Sequence, residues 1–408
     1  MRNLNKTILT LALASISGTV MADGTAPAAP AAPAAPAAPS LGAVIAATPG
    51  LTLTGYVAAT YNYFGSDTPA LRQFDTTQNG FTANQGALTI AYLPATGAGA
   101  QVTAIAGSDA QILRQGETGS STAPTTQFDL YNAFAQYAVS TYTMMAGKFS
   151  TLAGAEVATP NDDNEISRSL LNTLMEPITH TGVRVVDAVS SALTLTAGVN
   201  NGWNYTSTPS TPYAVNGSSG KTLELGISGT PSKMFSYSLA YYNGDSPLYE
   251  GISGAGGAGS GTLQLFDAVG TLNATDALNF VANVDYLTKD NANLLNGTNG
   301  TGTATGIALY ANYTISSDWL LSLRGEYVDD ADGLLSMNSN IGFVGAFPTG
   351  TTSNTLKEGT LAVNYTGFKN LRLTGELRED ESSIGLFTSN GKPASQQASL
   401  EFQAIYSF

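Results

Sequence analysis

From residue 51 onward, apolar and polar positions exchange places at period two, and the pattern recurs along the chain. In LTLTGYVAATYNYF, Leu51, Leu53, Gly55, Val57, Ala59, Tyr61 and Tyr63 share one face, and Thr52, Thr54, Thr60 and Asn62 the other. In DWLLSLRGEY, Trp319, Leu321, Leu323, Gly325 and Tyr327 stand opposite Ser322, Arg324 and Glu326. In NLRLTGELRED, Leu371, Leu373, Gly375 and Leu377 stand opposite Arg372, Thr374, Glu376 and Arg378. Successive side chains of a strand point to opposite sides, so each segment has one apolar and one polar face. A face carrying Arg and Glu meets water, while its partner meets something apolar.

Sixteen such segments are predicted as strands: 51–64, 86–93, 99–107, 128–139, 142–149, 179–186, 191–200, 221–228, 234–243, 261–272, 277–287, 305–315, 319–328, 355–365, 370–379 and 398–408. Those at 142–149, 179–186 and 261–272 alternate poorly, and the last carries Asp267 on its better apolar face. The connections alternate in length. Seven are short, such as Ser140-Thr141 and Ser316-Ser317-Asp318. Eight are long, at 65–85, 108–127, 150–178, 201–220, 244–260, 288–304, 329–354 and 380–397. Short turns at one end, long loops at the other and an even strand number are the pattern of a transmembrane antiparallel β-barrel. About sixteen strands are therefore expected, within a range of fourteen to eighteen. Tyr61, Tyr63, Tyr137, Tyr241, Tyr286, Tyr327, Tyr365, Tyr406 and Phe408 fall near strand ends, where interfacial girdles lie.

Composition narrows the choice. Charged residues are 11% of the chain, against about 25% in an average soluble protein. No stretch after residue 22 approaches the ~18 uninterrupted apolar residues of a membrane helix. There is no cysteine, which excludes a disulfide framework and thiolate metal sites. The formal charge of -14 becomes -16 once Arg2 and Lys6 leave with the first 22 residues. That balance argues against nucleic acid as a partner.

Those 22 residues read as a secretory signal: a basic start, the short apolar core TILTLALASISGTV, and small residues up to Ala22. Residues 23–50 contain APAAPAAPAAPAAP, a proline every third residue that favours an extended, semi-rigid periplasmic spacer. The expected organisation is a signal over 1–22, an Ala/Pro linker over 23–50 and an outer-membrane barrel over 51–408.

Little in the chain resembles catalytic or metal chemistry. GAGGAG at 254–259 matches G-x-G-x-x-G, but a strand and not a helix follows, so it reads as a loop. DDADG at 329–333 fails as a calcium loop, since Val328 and Ser339 fall where Asp and Glu are required. His180 is the only histidine and lacks a G-x-S-x-G nucleophile motif, so a wall position is preferred to a general base. No cofactor, no metal and no enzymatic activity are expected.

The connection 150–178 is the one with helical character. Asp162 or Asp163 can cap, and Ile166, Leu170, Leu171 and Leu174 share a face before Pro177. Such a helix needs a surface. Either the loop enters the lumen, bringing Glu156, Asp162, Asp163, Glu165, Arg168 and Glu176 to a constriction, or it is an ordinary extracellular excursion. The predicted lumen wall mixes Arg184, Arg324, Arg372 and Arg378 with Glu224, Asp285, Glu326, Glu376 and Glu401. A barrel of this size is too wide for wall side chains alone to fill.

Two resemblances add to this. The last strand, with Phe402, Tyr406 and Phe408 at alternate positions, resembles the signal by which the barrel assembly machinery recognises outer-membrane proteins. AGKFSTLAGAE (146–156), then SRSLL (167–171) and HTGVRV (180–185), resembles the OmpL-like β-barrel porins of Gram-negative outer membranes. That resemblance implies a passive channel for small hydrophilic solutes and ions, in contact with membrane lipid and lipopolysaccharide. A homotrimer is compatible with it. A rival reading is a surface or adhesion barrel acting through its Thr-, Ser-, Gly- and Asn-rich loops. A weaker rival is an outer-membrane hydrolase built on His180.

Overall fold

The computed structural model describes residues 47–118, 126–204, 221–245, 262–293, 299–335 and 353–408. The expected signal and all but the last four residues of the expected linker lie outside these, as do the GAGGAG segment and Ser339. The strands are β1 (Leu51–Phe64), β2 (Gly80–Tyr92), β3 (Gly97–Ala106), β4 (Phe128–Val139), β5 (Tyr142–Ser150), β6 (Thr179–Ser190), β7 (Leu193–Asn200), β8 (Thr222–Ser232) and β9 (Phe235–Asp245). They continue with β10 (Thr262–Asn273), β11 (Leu278–Asn293), β12 (Asn299–Thr314), β13 (Trp319–Asp330), β14 (Asn354–Phe368), β15 (Leu371–Ser382), β16 (Phe387–Ser389), β17 (Lys392–Ala394) and β18 (Gln396–Ser407). Among the described residues, two helices, α1 (Ser108–Thr118) and α2 (Leu170–Leu174), lie in loops.

Sixteen strands close into one antiparallel barrel, and β16 and β17 form a separate two-stranded sheet. The ring closes where β1 pairs with β18, from Tyr56 opposite Ser407 to Phe64 opposite Ser399. Closure removes both sheet edges, which a lipid-embedded sheet cannot leave unpaired. The turn end carries connections of two to four residues. The other end carries loops, among them L1 (65–79), L2 (107–127), L3 (151–178), L4 (201–221) and L8 (383–395). Within the loop expected over 288–304, β11 and β12 run on to pair Asn293 with Asn299. Cross-strand pairing overrides the turn-forming composition of that segment.

The alternation maps onto the wall as expected. Val57, Tyr63, Leu323, Tyr327, Leu377, Phe402 and Tyr406 are exposed on the outer face, while Asn62, Arg324, Glu326, Glu376 and Glu401 are buried within. Tyr92, Tyr137, Tyr142, Trp319, Phe368 and Phe408 are exposed near the turn end, and Tyr63, Phe81, Phe128 and Tyr327 near the loop end. This is the double aromatic girdle of an outer-membrane barrel.

The poor alternation at 261–272 has a cause inside the barrel. Leu263 and Leu265 of β10, Leu287 of β11, Ala304 and Ala308 of β12, Val328 of β13 and Leu356 of β14 form one buried cluster with L3 residues Leu170, Leu171, Leu174 and Met175. Here the inner face is apolar because a loop covers it. Burying such side chains on both sides is worth roughly 1.5–3 kcal/mol each, which holds the loop against the wall.

Candidate functional site

L3 leaves β5 at Ser150 and runs around the inner wall. Tyr242 of β9 anchors its start, donating to or accepting from Thr151 Oγ1 at 3.0 Å and accepting from the Leu152 N–H at 2.8 Å. The Ala155 N–H then donates to Asn283 of β11 at 2.7 Å. Arg324 of β13 reaches Glu156 at 2.7 Å, and Tyr310 of β12 donates to the same carboxylate at 3.1 Å. Arg372 donates to the Pro160 and Asn161 carbonyls, and Ser407 of β18 to Asn161. On the return path Ser322 donates to Glu165, and Glu376 accepts from the Ile166 and Ser167 N–H groups at 2.5 and 3.2 Å. Glu326 accepts from the Leu170 N–H at 2.8 Å. The loop thus folds into the lumen and lies against β9–β15.

The helix expected from Asp162 or Asp163 is a five-residue turn, α2, capped instead by Ser169, whose Oγ accepts from the Asn172 N–H at 3.0 Å. The residues before it form turns and bends, and the Ile166 and Ser167 N–H groups bond to a wall carboxylate instead of building a helix. Asp163 pairs with Arg168 at 3.1 Å and accepts from the Val157 N–H at 3.2 Å.

Of the six loop charges expected at a constriction, only Asp162 is exposed; Glu156, Asp163, Glu165, Arg168 and Glu176 are buried against the wall. Burial pushes the Glu165 carboxyl up to about 7. It likewise raises Asp163, despite Arg168, and Glu176, which Asp267 raises further. Of the nine expected wall residues, Arg372 is partly exposed and the other eight are buried. Most of them are covered because their charges hold loops, while Glu224 is paired within the wall to Arg184 and Asn200. Arg324 also touches Glu326 at 3.3 Å and Glu358 at 3.2 Å, and Arg378 pairs with Asp380 at 2.7 Å while donating to Ser167 Oγ. Arg72 of L1 reaches Asp380 at 2.8 Å, and Glu401 accepts from Ser399 at 3.0 Å beside it. Asp285 meets Glu176 and Asp267.

Arg184 and Glu224 form a second site at the foot of L3. They are 2.5 Å apart, and the guanidinium lies 4.1 Å over the Phe149 ring. His180, opposite Phe149 in the β5–β6 ladder, stacks on Tyr242 at 4.7 Å. Lys148 pairs with Asp129 at 2.7 Å. At Gly147 (φ +133) any side chain would overlap the Ala133 carbonyl. The segments GKF and HTGVR therefore clamp the two ends of the loop where it enters and leaves the wall.

Several residues of the interior were not anticipated: Arg72 and Asp75 of L1, Asp109 of α1, Tyr242, Asp267, Glu358 and Asp380. Glu358 and Asp380 occupy inward positions that the alternation marks. Arg72, Asp75 and Asp109 sit in loops, where no periodicity shows which way a side chain turns.

On the opposite side of the lumen, a cavity of about 710 Å³ lies between L3 and the wall of β1–β5. Its lining includes Thr54, Gln101, Thr103, Asn132, Thr159 and Asn161, with Asp162 as the one charged side chain. Toward the loop end it meets an apolar cluster of Phe74 from L1, Ala110 and Leu113 from α1, and Ala158 from L3 against Tyr56, Ala58, Ile105 and Tyr131. Asp109, at the start of α1, has its carboxyl pushed up to about 6 by burial.

A closed, even-stranded antiparallel barrel with short turns at one end and longer loops at the other is the architecture of an outer-membrane barrel. Residues 50–408 match the family described as "Putative beta-barrel porin-2, OmpL-like". The chain belongs to this family. It is an outer-membrane porin, and its family and fold are those of a channel and not of an enzyme. No curated protein sequence matches the porin. Among solved structures it is similar to the anion-selective porin of Comamonas acidovorans, with 11% identity over 88% of this chain and 99% of that one and a TM-score of 0.57. It is also similar to the outer-membrane channel DcaP of Acinetobacter baumannii, with 15% identity over 88% and 97% and a TM-score of 0.56. A third is the trimer form of Vibrio cholerae OmpT, with 13% identity over 88% and 99% and a TM-score of 0.54. At such identities the likeness concerns the fold.

Proposed function

We propose that this porin passes small hydrophilic solutes along the β1–β5 side of its lumen, past L3 and α1, with a modest preference for cations over anions. The cavity on that side carries the proposal. Its hydroxyl and amide lining exchanges hydrogen bonds with a hydrated solute without trapping it, and its single charged side chain, Asp162, is negative. L3 narrows the passage, so the six loop charges act in two ways: Asp162 on the solute, and Glu156, Asp163, Glu165, Arg168 and Glu176 by fixing the loop. The nine wall charges, Arg184, Glu224, Asp285, Arg324, Glu326, Arg372, Glu376, Arg378 and Glu401, belong with the second group. Planar-bilayer recording from the purified barrel tests this. It should give ohmic single channels with a reversal potential on the cation side in a salt gradient, and Asp162→Asn should reduce that preference. A folded barrel without conductance would overturn the proposal.

We further infer a cleaved secretory signal over 1–22 and a periplasmic linker over 23–50. The assembly machinery would read Phe402, Tyr406 and Phe408, which lie along the exposed outer face of β18 and just beyond it. Lipid and lipopolysaccharide would surround the barrel, and a homotrimer is proposed by analogy with the trimer form of OmpT.

A further inference from the structure

L3 is fastened to two stretches of wall by different means. Against β13–β15, its carboxylate and carbonyl oxygens meet Arg324, Arg372 and Arg378. Against β10 and β11, Glu176 meets two more carboxylates, Asp267 and Asp285, which face each other across the ladder. Ligand oxygens of the three lie within 4.8 Å of one another, and all three residues are buried. The ion pairs seen among the described residues engage other acids.

The way these carboxylates are held points to what joins them. One oxygen of Glu176 accepts from Asn172 Nδ2 at 3.2 Å, and one of Asp267 from Asn283 Nδ2 at 2.7 Å. The amides orient each group and leave its second oxygen, Glu176 Oε1 and Asp267 Oδ1, without a hydrogen bond. Asp285 is 1% exposed, lies between them, and neither of its oxygens receives a hydrogen bond from a donor outside the three carboxyls. Buried carboxylate oxygens left in this condition call for a positive partner. The loop backbone is fitted to the same spot. At Gly154 (φ +90) any side chain would overlap the Glu176 carboxylate.

We propose that Glu176, Asp267 and Asp285 bind one divalent cation of the calcium class, which staples the end of L3 to β10 and β11. An all-carboxylate donor set selects hard cations. Oxygens up to 4.8 Å apart can share one ion at the 2.3–2.6 Å of a Ca–O bond. The ion does on this wall what the arginines do on the other.

The test uses the full-length barrel refolded in detergent without lipopolysaccharide, stripped with EDTA, and titrated with calcium chloride by calorimetry. One saturable site is expected. The thermal unfolding midpoint of the same samples should rise with calcium and fall again with chelator. Asp285→Asn should lose both responses, and Glu176→Gln, which changes only the loop, provides the second variant if the first does not fold. Asp129→Asn, at a pair with Lys148, should retain them. A wild-type barrel indifferent to calcium and EDTA would overturn the site in favour of carboxylates that share protons. Undiminished responses in both acidic-cluster variants would overturn it in favour of calcium at the surface. None of these readouts depends on conduction.

Discussion

Along β10–β15, the inward positions of the barrel are charged or apolar and lie beneath L3; along β1–β5, many are hydroxyls and amides that face a cavity. Both stretches come mostly from strands of alternating pattern, with β5 and β10 the poorly alternating member of each. The difference teaches that a charge on the inner face of a barrel need not meet solute. Arg324 and Arg378 are fully covered, and each satisfies several oxygens of the loop and its neighbours. Charge in low dielectric is tolerable only when paired, so the charged wall is the one that can hold a loop. The wall of β1–β5 holds its loops by apolar contact, Phe74 of L1, α1 and Ala158 of L3 packing near the loop end, and its hydroxyls and amides are left to the cavity.

Removing the loop should erase the contrast, and it carries the largest effect. Deleting residues 155–176 is expected to raise single-channel conductance several-fold, because both halves of the lumen would then be open. An unchanged conductance would mean that the loop does not narrow the passage.

Breaking one anchor is the next step down. Arg324→Ala leaves Glu156, Glu326 and Glu358 without their shared cation. Losing one partner of a buried pair costs about 3–5 kcal/mol. Limited proteolysis should then cut within 151–178 where the wild type resists, and current fluctuations should grow. Equal protease resistance would count against the anchoring role.

Acidity should produce the smallest change. The Glu165 carboxyl is pushed up to about 7 and Asp109 to about 6, both by burial. Such groups bind more protons folded than unfolded, where glutamate titrates near about 4.3 and aspartate near about 3.9. Stability is therefore lost as pH rises through this window and regained on acidification. The unfolding midpoint should rise from pH 8 to pH 5, and Glu165→Gln should flatten the rise. A midpoint that falls over that range would contradict the burial of these groups.

The barrel itself was legible because period two survives wherever one face meets lipid. Val57, Leu323 and Leu377 alternate with Asn62, Arg324 and Arg378, and closure of β1 on β18 follows from strand count. The interior was legible only in part. Arg324, Glu326 and Glu376 could be placed inside, whereas the sequence left Glu156 between the lumen and an extracellular excursion, and the pairing of all four depends on a loop path that no local pattern encodes. Leu263, Leu265 and Asp267 obscured the alternation of β10 because L3 gives that strand a second buried face. The loop helix shrank to α2 because wall carboxylates, Glu326 and Glu376 among them, take the N–H groups that a longer helix would have used. Gln101, Thr103 and Asn132, which line the cavity, carry no sequence signal beyond being polar and inward.

The division of the lumen is tested most directly by charged thiol reagents, since the chain has no cysteine of its own. Gln101→Cys places a thiol on the cavity wall, and Ala308→Cys places one beneath L3. A negatively charged methanethiosulfonate added during single-channel recording should alter the conductance of Gln101→Cys and leave Ala308→Cys unchanged. Modification that alters the current at position 308 and not at 101 would contradict a passage along β1–β5.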